Sequence, residues 1–398
     1  MGVGKVSKAK LWTKDFIIIS ATTFFVALTF YLLMTTMTIY AIEQFNASQS
    51  QAGLASGIFV IGALISRLLA GKYMAVIGHK KMLLGSLALF LIATVSYFLV
   101  DSLILLLVVR FIHGAAFGVA TTAMSTAIID IIPRVRRGEG ISYFSLNPTV
   151  ATAIGPFLGI FIMQHADFNM MFIVCTVFSA MSIFIMLLAQ IPEARITSEQ
   201  LEAMKGFRWQ DFFEKSALPI STIMFLAGIA YSGILTFLNS YAIEINLTAS
   251  ASFYFIVYAV FILISRPFTG RLLDMKGDNI VMYPALLLFT LSLVLLSQAD
   301  NGLVLLLSGA LVGLGFGTVM SCAQAIAMKE VPKHRIGLAT ATFFFCADLG
   351  IGTGPFLIGS IAPIVGFRGM YMILAGMVFL SVFLYYVVHG RWQYSNVS

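Results

Sequence analysis

Apolar residues run along the chain in stretches of about 20 or more, broken by short polar clusters. A stretch of that length crosses a ~30 Å hydrocarbon core. Inside lipid every backbone group must be satisfied within its own segment, so such runs are helices. The pattern predicts spans at 16–39, 52–73, 82–100, 103–128, 141–164 and 169–190. A second set follows at 218–243, 250–273, 280–298, 302–328, 338–361 and 367–388. Between the sets, residues 191–217 are polar, with Pro192, Glu193, Arg195, Glu199, Glu202, Lys205 and Arg208. Thr197 followed by Gln200 fits a capping box, and Phe207, Trp209, Phe212 and Phe213 fit a short helix on the membrane surface. The chain therefore divides into a six-helix bundle at 1–190, a linker at 191–217 and a second bundle at 218–398. The fold class is an all-α membrane protein of twelve transmembrane helices.

The two sets are one unit written twice. Ile65-Ser66-Arg67-Leu68-Leu69-Ala70-Gly71 returns as Ile264-Ser265-Arg266-Pro267-Phe268-Thr269-Gly270, an offset of 264 − 65 = 199 in a chain of 398 residues. Gly114 and Gly118 map onto Gly313 and Gly317, Pro133 onto Pro332, and Gly155-Pro156-Phe157-Leu158 onto Gly354-Pro355-Phe356-Leu357. Tyr40-Ala41-Ile42-Glu43 reappears as Tyr241-Ala242-Ile243-Glu244, after a slip of two residues. A repeat of half the chain is too long for a solenoid; it predicts two parallel six-helix bundles.

Composition agrees. The chain is 60% hydrophobic and 10% charged, with mean hydropathy +0.97, against about 25% charge in a soluble domain. Lysine and arginine cluster before the first span and after the second, fourth, eighth, tenth and twelfth, whereas the opposite loops hold Glu43, Asp101, Asp167, Glu244 and Asp300. The positive-inside rule then places both termini in the cytoplasm of a cell-membrane protein. The net charge of +7 follows from that bias and marks no nucleic-acid surface. The first apolar run is too long for a cleaved signal peptide. Cys175, Cys322 and Cys346 stand alone inside spans and offer neither a disulfide framework nor a metal site. Asn46-Ala47-Ser48 and Asn246-Leu247-Thr248 read as turns.

Polar groups deep in the spans are the candidates for function, because an ionisable residue in a membrane is costly. Asp348 lies halfway along the eleventh span, deeper than any other carboxylate. A buried carboxyl can take up and release protons, which makes Asp348 the first candidate for proton coupling. Arg110 and His113 share a face of the fourth span, and Glu43 is the rival acid at the outer mouth. Arg67 and Arg266 sit one turn inside the cytoplasmic boundary, where snorkelling to the interface or bonding to the helix end is expected. Gly114, Gly118, Gly309, Gly313 and Gly317, at four-residue spacing, predict close helix packing. A cavity between the bundles would be lined by Tyr31, Asn147, Tyr231, Asn239 and Gln324. Gly155-Pro156 and Gly159 in the fifth span suggest a bend where the bundles slide.

The loop after the second span runs Gly71 to Gly78-His79-Lys80-Lys81; its counterpart runs Gly270-Arg271 through Asp274 to Gly277. This resembles the cytoplasmic loop motif of the major facilitator superfamily, with Ala75 in place of the first-half acid. In the family that acid helps to latch the outward-facing state. Arg110 followed by His113-Gly114 resembles the family's fourth-span motif, linked to proton transfer. Gly155-Pro156 resembles the fifth-span motif of its antiporters, although the first span lacks the paired prolines common among drug antiporters. The resemblance covers nearly the whole chain and implies a non-enzymatic transporter in the proton-coupled efflux branch. It would export a small, amphipathic organic compound in exchange for protons by alternating access, as a monomer without cofactor. The region around Asp348-Leu349-Gly350 is similar to that of metallophore exporters, a narrower possibility. The competing reading is proton-coupled uptake of an organic anion or sugar.

Overall fold

A computed structural model describes residues 10–133, 137–191, 213–329, 331 and 336–391. The short linker helices expected near 197 and 207 fall outside these residues. The first six helices are α1 Lys14–Phe45, α2 Gln49–Ile77, α3 His79–Ser96, α4 Leu103–Ile131, α5 Arg137–His165 and α6 Phe168–Leu187. They are followed by α7 Leu218–Glu244, α8 Thr248–Lys276, α9 Asp278–Ser297 and α10 Gly302–Lys329. The last stretch, Ile336–Tyr385, is helical apart from Gly366, whose φ of 70° and ψ of 171° break it into α11 (336–365) and α12 (367–385). Eleven apolar helices among the described residues are long enough to cross a membrane, and the break divides the last into two crossings.

The ends obey local chemistry. Thr13 caps α1 by accepting from the Phe16 amide at 3.2 Å, and Asp167 caps α6 by accepting from Met170 at 2.9 Å. Asn46 and Asn246 take φ of 50° and 58°, the left-handed turn that asparagine tolerates, so both sites are turns as expected. Gly78 and Gly277, 199 apart, have φ of 96° and 85° and alone separate α2 from α3 and α8 from α9. The sequence pattern placed Gly71 and Gly270 at the start of these loops. Both instead lie inside the preceding helix.

Small residues set the packing inside each set of six. Gly114 and Gly118 of α4 press on α2, so that a Cβ on Gly114 would lie 1.8 Å from the Phe59 carbonyl oxygen. In the second set Gly309 and Gly313 of α10 meet Tyr254 and Tyr258 of α8. These glycines pack, as predicted, and the same helix pair is used in both repeats.

Contacts between the sets run through α1 with α7, α2 with α11, and α5 with α8. They gather toward the face opposite the start of α1 and the end of α12, called here the far face. Thr38 donates to the Thr236 carbonyl at 3.3 Å, and the Ser50 and Ser360 hydroxyls lie 3.0 Å apart. Gln164 reaches Thr248 and Ser252 at 2.9 and 3.1 Å. Gly53 and Gly57 of α2 lie against the backbone of Pro355 and Gly352 of α11.

Candidate functional site

Below that seal, the Arg67 guanidinium of α2 forms an ion pair with the Asp348 carboxylate of α11. The geometry follows from helix direction. Arg67 stands ten residues from Gly57, about 15 Å, and Asp348 stands four residues from Gly352, about 6 Å. Side chains lean toward their own helix N-terminus. Arg67 therefore reaches toward the far face and Asp348 away from it, and the two meet between. Their side chains retain 30% and 18% exposure. Arg67 also lies over the Phe117 ring, 5.9 Å from its centroid. The expectation that Arg67 snorkels is overturned: its charge is met inside the membrane.

A chain of tyrosines begins beside the pair. Tyr31 of α1 lies within electrostatic reach of Asp348, Arg67 and Tyr258. Tyr231 of α7 stacks on Phe316 at 4.1 Å and lies 5.7 Å from the Tyr258 ring. Tyr258 in turn is within reach of Arg266. Of the five expected lining residues, Tyr31 lies near the pair, and Tyr231 is buried against Phe316 and Tyr258. Asn147 is half-buried and donates to the Phe144 carbonyl of its own helix at 2.9 Å. Gln324 is half-buried on α10. Asn239 is buried on α7, one turn beyond Thr236 toward the far face.

Arg110 and His113 do not join this centre. Both are fully buried. Arg110 donates through Nε to the Ala55 carbonyl at 2.8 Å and through Nη2 to the Ser56 carbonyl at 3.1 Å, with its guanidinium 4.6 Å from the Phe59 centroid. The His113 ring is held by Thr94 Oγ1 at 3.2 Å and by the Tyr97 hydroxyl at 3.0 Å, and Thr94 meets Ser179 at 3.0 Å. This network braces α2, α3, α4 and α6 against one another. Tyr97 lines a cavity of about 400 Å³ together with Tyr40, Gln44 and Asp167. Glu43 is exposed near the end of α1 at the far face, where the sequence placed an acid at the mouth.

The glycines of the fifth helix were expected at a sliding contact between the bundles. Instead Gly155 and Gly159 face α1 within the same set: a Cβ on Gly155 would lie 2.6 Å from the Tyr31 Cβ. The contact between the sets uses Gly352 and Pro355 of the second repeat. In the loop motif, Lys80 donates to the Ala189 carbonyl at 3.2 Å and so ties α3 to the end of α6, while Lys81 is exposed. The side chains of Arg271 and Asp274 lie outside the described residues. The sequence missed one cluster entirely. Asp278 at the start of α9 binds Lys329 at 2.9 Å and His389 at 3.0 Å, clasping the ends of α10 and α12.

The family follows from comparison with known proteins. A sequence model described as Major Facilitator Superfamily matches residues 19–355. The chain belongs to this superfamily. It is 25% identical over 354 residues to the staphylopine export protein of Staphylococcus aureus, covering 85% of this chain and 87% of that one. It is 30% identical over 166 residues to the multidrug resistance protein MdtG of Salmonella choleraesuis, covering 40% of this chain and 41% of the other. Among solved structures, the nucleoside transporter NupG (D323A mutant) superposes with a TM-score of 0.78 at 15% identity, over 94% of this chain and 99% of that one. That likeness shows the shared fold, and membership of the superfamily makes the chain a multi-pass membrane transporter. The superfamily's members are transporters and not enzymes.

Proposed function

We propose that this superfamily member exports a small organic compound in exchange for protons, with Asp348 as the group that carries the proton. The observation that carries the reading is the Arg67–Asp348 ion pair, which joins the two repeats at a partly exposed position below the far-face seal. The export relatives favour that direction. The bodies that rock are residues 1–190 and 218–398, joined by 191–217. Both termini are cytoplasmic in this reading, so the structure is closed to the outside, with Asp348 paired to Arg67. A substrate arriving from the cytoplasm competes with Arg67 for Asp348. Once the cleft opens outward, a proton from outside binds the carboxylate oxygen and releases the substrate. On return, the proton passes to water on the cytoplasmic side and Arg67 re-forms the pair. Arg110 and His113 brace the first bundle and do not relay the proton. Glu43 biases proton access at the mouth.

The test is Asp348→Asn in inverted vesicles, with a panel of compounds screened for collapse of an imposed pH gradient. The variant should lose gradient-driven transport and retain substrate exchange, in which no net proton moves. Uphill transport at the wild-type rate would remove Asp348 from the mechanism.

A further inference from the structure

A groove of about 240 Å³ runs along the outside of the first bundle, lined by Gly85, Ser86 and Leu89 of α3 and by Ala115, Ala116 and Val119 of α4. Small side chains make it: a Cβ on Gly85 would meet nothing within 4 Å. Toward the far face its walls continue through Ile92 of α3 and Val108 and Ile112 of α4, all exposed. Exposed apolar surface on a membrane span is surface offered to lipid chains.

A cation stands at the other end. Lys81, Gly85 and Leu89 follow at four-residue spacing and share one face of α3. Helical side chains lean toward their own N-terminus, so Lys81 points from the groove toward the start of α3 and the membrane surface. It is exposed and makes no ion pair among the described residues, whereas Lys80 is turned to the Ala189 carbonyl. From Gln44 to Val100, a stretch that includes α2 and α3, the chain has no Asp or Glu. A helix start carries partial positive charge, and α3 begins at His79 with no side-chain cap.

The second repeat supplies the comparison. At the offset of 199, Gly85 becomes Pro284, Ala115 becomes Leu314, Lys81 becomes Ile280 and His79 becomes Asp278. Larger side chains stand where the first repeat has space, and an acid stands at the helix start where the first repeat has none. The changes go together: space and a cation in one repeat, bulk and a carboxylate in the other.

We propose that this groove binds an anionic phospholipid of the cytoplasmic leaflet, with one acyl chain laid between α3 and α4 and the phosphate on Lys81. The leaflet follows from the orientation adopted above, while binding itself is independent of coupling and of transport direction. A zwitterionic lipid fills the groove equally well, but its phosphate is already balanced by its own ammonium and gains less from Lys81. A free phosphate has the charge without the chain that the groove takes.

Native mass spectrometry of the full chain tests this. The protein is released from detergent holding equal amounts of phosphatidylglycerol and phosphatidylcholine with the same acyl chains, and the retained lipid is weighed. The wild type should keep phosphatidylglycerol in several-fold preference. Lys81→Gln should lower that preference by about fivefold, the weight of one lysine at an anionic headgroup. Gly85→Leu fills the groove and should lower retention at least as far. Its melting temperature in lipid-free detergent should not fall, because open space surrounds that position. Glycerol phosphate, the headgroup without chains, should not bind. Equal retention of the two lipids by the wild type, an unchanged preference in Lys81→Gln, or wild-type retention in Gly85→Leu would overturn the proposal. So would glycerol phosphate binding as tightly as the lipid, which makes this a site for free anions, or a dimer that Gly85→Leu abolishes, which assigns the groove to a second copy of the chain.

Discussion

Removing the charge of Asp348 should open the far face. The ion pair joins α2 to α11, so its energy belongs to the state that brings those helices together. Charge centres about 4 Å apart attract by about 4 kcal/mol at an effective dielectric near 20. Partial exposure of both side chains and the cost of desolvating them cut the net value to about 1–2 kcal/mol. Each 1.4 kcal/mol is tenfold in an equilibrium constant, so Asp348→Asn should shift the closed-to-open ratio by about five- to thirtyfold. The Ser50 and Ser360 hydroxyls, 3.0 Å apart at the far face, supply the gauge. In a Ser50→Cys/Ser360→Cys protein with Cys346→Ala, the closed state forms a disulfide and the open state reacts with a membrane-impermeant maleimide. The ratio of the two products reads the equilibrium. It should fall in Asp348→Asn and in Arg67→Gln, and the double variant should fall no further than either alone. Equal ratios in all four proteins, or additive shifts, would refute the argument that this pair ties the repeats together.

Arg110→Gln should lower stability by about 2–4 kcal/mol, since it strips buried charge-assisted bonds from the Ala55 and Ser56 carbonyls; thermal unfolding in detergent checks this, and substrate exchange by the surviving protein should persist. Gly155→Val should cost about 1–3 kcal/mol by forcing α1 and α5 apart at Tyr31, read as a lower melting temperature with the Ser50–Ser360 cross-link ratio unchanged. Asp278→Asn leaves Lys329 and His389 without their acid; because Lys329 is half exposed, the loss should be about 1 kcal/mol, measured by the same unfolding curve.

Much of the fold was legible because the chain states it twice. The period of 199 marked the parallel bundles, the paired turns near Gly78 and Gly277 and the close packing at the glycines of α4 and α10. Local signals sufficed there. The site was harder for a physical reason. Arg67 and Asp348 are 281 residues apart, and depth along each helix suggests different levels. Only the opposite lean of side chains on antiparallel helices brings them together. Gly155 and Gly352 illustrate the same limit: spacing marks a residue as a packing site, yet its azimuth decides whether it packs within a repeat or across the divide. Arg110 was legible as costly but not as occupied, because the carbonyls that hold it belong to another helix.

Gly366 gives α11 the mechanics of a lever. It is the sole non-helical residue between α11 and α12, and the Tyr371 hydroxyl bonds α12 to the Gly233 carbonyl of α7 at 3.3 Å, so the fulcrum is anchored. Asp348 rides 18 residues from it, about 27 Å at 1.5 Å per residue, and the tip of α11 away from the far face about 45 Å. A swing of about 10° moves the tip by about 8 Å and the carboxylate by about 5 Å, farther than the reach over which an ion pair holds. On an arm of that length, a small rotation at one glycine is a displacement at the charge larger than the reach of the ion pair.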